Sequence, residues 1–150
     1  MSTTKALPEH HKSCDLLLAL AEESAMAARW PQCEEAFQRF RAEIGAHFET
    51  EEQVLFPAFE AASGSRLGPT QMMRLEHAQM NTLIGHVAQA IAARDANGFA
   101  GAAETLLILM QQHNMKEENI LYPMCDQALA GQPLAIGDEL AKRAAAPCLI

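Results

Sequence analysis

Apolar residues recur at alternating three- and four-residue steps along four long stretches of the chain, the signature of helices with one buried face. The stripes run through Cys14, Leu18, Ala21 and Ala25, then through Phe37, Phe40, Ile44, Val54 and Ala58. A third links Met73, Met80, Ile84, Val87 and Ile91, and a fourth Leu106, Met110, Ile120 and Met124. Pro8, Pro31 and Pro69 each open a stretch, where a missing N–H costs a helix nothing. Trp30-Pro31, the Ser63 to Pro69 segment and Asp95-Ala96-Asn97-Gly98 separate the stretches as loop and cap signals. The pattern predicts helices over about 8–29, 32–62, 69–94 and 98–130, with a short fifth near 134–145 after Gly131-Gln132-Pro133. Short loops between amphipathic helices predict an all-α, up-down-up-down four-helix bundle with a short extra C-terminal helix. At 150 residues one core suffices. The expected organisation is a single domain over 1–150, with a bundle core of about 8–130 and an extension over 131–150.

An internal repeat adds chemistry to this frame. His47-Phe48-Glu49-Thr50-Glu51-Glu52-Gln53-Val54-Leu55-Phe56-Pro57 aligns without gaps on His113-Asn114-Met115-Lys116-Glu117-Glu118-Asn119-Ile120-Leu121-Tyr122-Pro123, an offset of 66 residues. The same offset places His77 on His11, and Asn81 and Leu83 on Asp15 and Leu17. Each half therefore carries a His, a second His 36 residues later, and a Glu four residues after that.

Residues four apart share a helix face, so His47 neighbours Glu51 and His113 neighbours Glu117. Both pairs interrupt apolar stripes without Lys or Arg, where an unpaired carboxylate costs several kcal/mol or takes up a proton. Counting helix rise from the turns puts His11 opposite the His47–Glu51 pair, and His77 opposite His113–Glu117. Packing the two hairpins together then gathers four imidazoles and two carboxylates at one depth, a donor set for two divalent transition metals. One buried His, or one His-x-x-x-Glu, is weak evidence for a metal. Two copies in register are not.

Other polar residues are read more blandly. His10 and His86 lack a repeat partner and are expected at the surface. Glu52 and Glu118 repeat, but lie about 100° off the seam, as solvated or supporting groups. Cys14 reads first as a small buried hydrophobe and second as a redox-active or secondary ligand, Tyr122 first as a structural ring aligned with Phe56 and second as a residue near the site, and the stripe methionines as core filler. Pro57 and Pro123 fall where helices should still run, so each predicts a kink just beyond a His–Glu pair.

Composition narrows the function. A net charge of −8 argues against nucleic acid and anionic membranes as partners. Aromatics make up only 5% of the chain, which favours helices over sheets. The longest apolar run, Leu16 to Ala21, is far too short to span a bilayer. No signal-peptide pattern opens the sequence, and Cys14, Cys33, Cys125 and Cys148 form no CxxC pair, so free thiols and a cytoplasmic location are expected.

With His11, His47, Glu51, His77, His113 and Glu117 in place, the sequence resembles the hemerythrin-like, or HHE cation-binding, family across about residues 8–130. That resemblance implies a non-haem di-iron centre on a four-helix bundle, oxo- or hydroxo-bridged, for which manganese or zinc could substitute. Ferritin-like carboxylate proteins fit less well, because their Glu-x-x-His order is absent. Two departures separate the chain from oxygen-carrying hemerythrins. Met73 and Asn81 stand where those proteins have a fifth histidine, and Glu118 fills the position of their last-helix carboxylate, leaving Glu117 to rest on the internal repeat. A set of four histidines and two glutamates leaves open or water-filled metal positions, as in the iron-repair and iron- or oxygen-sensing branch of the family.

The leading expectation is a protein that binds or senses O2, NO or peroxide at a dinuclear site. Oxidase or peroxidase turnover there is left open. The alternatives are an iron store or donor for repair of iron centres, and an interaction bundle that the metal merely staples. A homodimer is compatible with the sequence, which does not fix the oligomeric state.

Overall fold

The computed structural model describes residues 2–65 and 68–145, and among them every regular element is helical. α1 spans Ala6–Met26, α2 Trp30–Thr50, α3 Phe56–Ser63, α4 Pro69–Ala92, α5 Ala96–Lys116, α6 Tyr122–Ala128 and α7 Ile136–Ala144. Two π-helical turns, Glu51–Leu55 and Glu117–Leu121, splice α2 to α3 and α5 to α6. α1 packs on α2, α4 on α5, α1 on α5 and α2 on α4, so the four long helices close a ring; α7 lies against α2 and α1. Of the four cysteines, Cys14, Cys33 and Cys125 are buried free thiols, and Cys148 lies outside the described residues. No described helix is long and apolar enough to cross a membrane.

The internal repeat extends to the backbone of the turns. After α1, Arg29 N–H bonds to the Ser24 carbonyl at 2.8 Å; after α4, Asp95 N–H bonds to the Ala90 carbonyl at 2.9 Å. Both closures need a left-handed residue just past the helix, filled by Ala28 (φ 58°) and Arg94 (φ 52°) rather than by glycine. Asp95 also caps α5, accepting the Gly98 N–H at 2.9 Å.

The kinks expected at Pro57 and Pro123 take the form of the π turns. A proline has no N–H for the carbonyl four residues back and its ring clashes with that carbonyl. Widening the preceding turn relieves the clash: Phe56 N–H bonds to the Glu51 carbonyl and Tyr122 N–H to the Glu117 carbonyl, each five residues back. The extra residue shifts the apolar face by one position. Val54 and Ala58 are only half-buried, while Leu55, Phe56 and Phe59 fill the core. Likewise Ile120 and Met124 are exposed, and Leu121, Tyr122 and Cys125 are buried. The expected α1 and α4 stripes, which contain no such turn, are buried throughout.

Two apolar clusters result. One runs from Cys14 and Leu18 through Phe37, Phe40, Ile44, Met80, Leu106 and Met110. The other holds Leu7, Leu55, Phe56, Leu121, Tyr122, Leu129, Ile136 and Leu140. Along each long helix the sequence passes from one cluster to the other through buried His or Glu.

Candidate metal centre

His11, His47, Glu51, His77, His113 and Glu117 all project into the layer between the two clusters, and none is more than 3% exposed. Four donors, from Glu51, His77, His113 and Glu117, lie within 4.8 Å of one another; three, from His11, His47 and Glu117, form a second such group. Glu117 belongs to both. Its Oε1 is 3.1 Å from His11 Nε2, 3.3 Å from His113 Nε2 and 4.0 Å from His47 Nε2. Glu51 also faces both histidine pairs, with Oε1 3.1 Å from His77 Nε2 and Oε2 3.6 Å from His47 Nε2.

The histidines of each hairpin do lie level, since the His11 and His47 rings are 4.6 Å apart and those of His77 and His113 4.9 Å. The carboxylates cross over, however. His11 takes its nearest acids from Glu117 and Glu118 of the second half, and His77 from Glu51 and Glu52 of the first. Matching levels by helix rise sets depth but not the rotation that aims a side chain at a neighbouring hairpin.

The outer nitrogen of each imidazole is held as well. Nδ1–H of His77 donates to Glu52 (2.8 Å), that of His11 to Glu118 (2.7 Å) and that of His113 to Glu76 (2.8 Å). His47 differs: its Nδ1 meets His10 Nδ1 at 2.9 Å, and His10 Nε2 meets Glu43 Oε2 at 2.8 Å. His10 therefore leaves its expected surface place, with a side chain only 13% exposed, while His86 is exposed as expected. The signal was present in the repeat. His10 aligns with Glu76, and both support the second histidine of their half. Glu52 and Glu118, read as solvated or supporting groups, accept from His77 and His11 while remaining partly exposed.

These outer bonds fix the chemistry inside. A neutral imidazole that donates from Nδ1 presents a lone pair at Nε2. His77 Nε2 then faces Glu51 Oε1, and His113 Nε2 faces Glu117 Oε1, lone pair against lone pair at 3.1 and 3.3 Å. Glu51 Oε1, His77 Nε2, His113 Nε2 and Glu117 Oε2 have no hydrogen-bond partner although fully buried. Such an array is repulsive until a proton or a cation enters it. The mixed imidazole and carboxylate donors fit a divalent transition metal.

Protons play the cation's part in the metal-free chain. Burial alone lowers the pKa of His77, but hydrogen bonds and charge from Glu51 and Glu52 outweigh it and raise the value to about 9. His11 and His113 are also raised, by Glu117 above all, against the effect of burial. His47 is lowered, chiefly by burial. Glu51 is held well below its ordinary range, because the surrounding imidazoles outweigh burial. A folded pKa above the unfolded one stabilises the fold fully below about 6.5, and that support disappears as pH climbs through the folded value. Chelator-treated protein is therefore expected to melt at progressively lower temperature between pH 6.5 and 9, measured by circular dichroism. A melting temperature flat across that window would show that His77 carries no raised pKa.

Sequence reasoning put a structural ring first for Tyr122 and a place near the site second, and the structure favours the second. Its hydroxyl lies inside the donor layer, donating to Glu51 Oε2 at 2.7 Å or Glu117 Oε1 at 2.9 Å, with His11 Nε2 at 3.2 Å and His47 Nε2 at 3.3 Å. In an α-helix residue 122 would point about 140° away from residue 117. The π turn brings it back beneath Glu117. Phe56, its counterpart, stacks on His77 with ring centroids 5.9 Å apart and offers no donor atom.

A helical bundle with a buried imidazole–carboxylate layer able to hold metal is the class of protein that fold and site define. The hemerythrin HHE cation-binding domain family matches residues 2–125, and the chain belongs to that family. No curated protein and no solved structure matches the chain.

Proposed function

We propose that the chain is a one-domain, up-down-up-down four-helix bundle that holds two iron ions and binds or senses O2, NO or peroxide. His77 and His113 would hold one ion and His11 and His47 the other, with Glu117 common to both donor groups and Glu51 in the first. The carrying observation is the pair of donor groups that share Glu117, with buried lone pairs left unpartnered across the centre. The antiparallel order is supported by the turns at 27–29 and 93–95, too short to let the packed helices they join run any other way.

Iron supplies one-electron redox chemistry and positions for a small ligand, because four and three donors fall short of its usual octahedral set. The chain's own residues set the conditions. Glu118, Glu52 and Glu76 hold His11, His77 and His113 by their outer nitrogens, fixing ring orientation and strengthening Nε2 as a donor; His10 and Glu43 hold His47. Phe48 stacks on His77 at 4.0 Å, and Ile44, Met80 and Met110 seal one side of the layer, limiting water. Nothing comparable favours an iron donor. Neither Cys14 nor Cys125 joins the donor groups, and burial pushes the Cys125 thiol up to about 12 and that of Cys14 higher still.

Protein from iron-supplemented culture should contain two irons per chain by elemental analysis and give coupled Mössbauer spectra. Anaerobic loading with Fe(II) followed by air should produce near-ultraviolet and visible charge-transfer bands. Two irons whose spectra ignore O2, NO and peroxide, in a chain that melts on chelation, would instead identify a metal-stapled bundle.

A further inference from the structure

The two donor groups are unequal, and the inequality falls where the repeat breaks its own symmetry. The His77–His113 side has four protein donors, whereas the His11–His47 side has three. Beside that poorer side stands the Tyr122 hydroxyl, 3.2 Å from His11 Nε2, 3.3 Å from His47 Nε2 and 2.9 Å from Glu117 Oε1, with Glu51 Oε2 of the other group at 2.7 Å. Donor atoms bound to one ion at about 2.1 Å sit about 3.0–3.4 Å from one another when their bond angles lie between octahedral and tetrahedral. The hydroxyl thus keeps the spacing of a fourth donor on the same ion. Its position is imposed from several directions. The π turn sets residue 122 beneath Glu117, the ring lies 5.8 Å from that of His11 in a stacked pose, and the side chain is 2% exposed. On the other side the repeat supplies Phe56, whose ring stacks on His77 without an oxygen.

We propose that Tyr122 Oη is a seventh protein ligand, bound to the ion held by His11 and His47, so that the centre carries two chemically distinct metal sites. The assignment rests on the dinuclear reading above. On binding, the Oη–H bond breaks, an oxygen–metal bond forms, and the proton leaves to solvent with no change in oxidation state. With it the His11–His47 ion would have two imidazole and two oxygen donors, as the His77–His113 ion does, and would differ from it in carrying a phenolate.

The chain contains one tyrosine, so every tyrosine signal reports this residue. Protein loaded with Fe(II) and oxidised in air is expected to show a visible phenolate-to-iron(III) charge-transfer band. Resonance Raman excitation in that band should enhance tyrosine ring vibrations that shift when ring-deuterated tyrosine is incorporated. Both measurements use the unmutated chain and do not depend on a variant folding. Zinc loading at neutral pH should add the ultraviolet difference spectrum of an ionised tyrosine, without redox chemistry. Tyr122→Phe should lose all three signals and weaken the second metal equivalent by about tenfold or more. Two bound irons with no ring vibrations, and a spectrum unchanged in Tyr122→Phe, would overturn the seventh ligand while leaving the dinuclear centre standing. A wild-type chain that binds neither iron nor zinc would overturn both.

Discussion

On the proposed dinuclear centre, Glu117→Gln is expected to lower metal affinity by about 100-fold or more, and Glu51→Gln to do less. The asymmetry follows from geometry. Glu117 Oε1 approaches His11, His113 and His47, and the residue belongs to both donor groups, whereas Glu51 belongs to one. Losing a group that only supports a ligand costs roughly 10- to 100-fold in affinity, and a carboxylate common to both donor groups is expected to cost at least that. Glutamine keeps the size but removes the charge and presents an N–H2 toward one nitrogen that needs a cation. Competition against a chromophoric chelator, with metal content after desalting, measures the effect. Two equivalents retained by Glu117→Gln at wild-type affinity would remove Glu117 from the centre. Without metal, His11 and His113 protonated against Glu117 supply the counter-charge, and the variant loses that pairing. Chelator-treated Glu117→Gln should therefore melt below chelator-treated wild type at about pH 6, with the gap narrowing as pH rises. A gap that is the same at every pH would indicate simple damage to the fold.

The buried polar layer was legible because a set of metal-capable donors restricts residue type as well as position. His and Glu at fixed intervals, copied at an offset of 66, cannot be exchanged for other buried residues as Leu and Met can. The six residues therefore stand out of the sequence without any three-dimensional information. Helix limits were legible for a related reason, since Pro31, Pro69 and the Asp95 cap punctuate them in plain view. The π turns were not. A proline inside an amphipathic pattern signals a disturbance without saying whether the helix bends, breaks or widens. Beyond which hairpin each carboxylate lies nearest, the expectations that the structure corrects trace to that ambiguity, namely Val54, Ala58, Ile120, Met124 and the place of the Tyr122 hydroxyl, with one exception. His10 failed for another reason. Repeat matching demands equal residues, whereas support of an imidazole Nδ1 needs only an acceptor, which Glu76 provides directly and His10 provides through Glu43.

The widened turn makes the second large effect a contrast between adjacent residues. Leu121→Ala should destabilise the protein by about 2–5 kcal/mol, the usual cost of emptying a packed leucine site, whereas Ile120→Ala should change stability by about 0.5 kcal/mol or less. Leu121 is 1% exposed within the cluster of Leu55, Phe56 and Leu129, and Ile120 is 57% exposed. An uninterrupted α-helical period through Leu106 and Met110 assigns the buried place to Ile120 and gives the reverse order. Urea denaturation of both variants in chelator, compared with wild type, separates the two pictures. Equal losses, or a larger loss at Ile120, would mean that no extra residue is accommodated between Glu117 and Leu121. The placement of the Tyr122 hydroxyl in the donor layer would then fail with it, since that hydroxyl reaches Glu117 only through the widened turn. Leu121 is thus a stability probe of the geometry that brings the phenol to the donor layer, and it carries no metal-binding atom of its own.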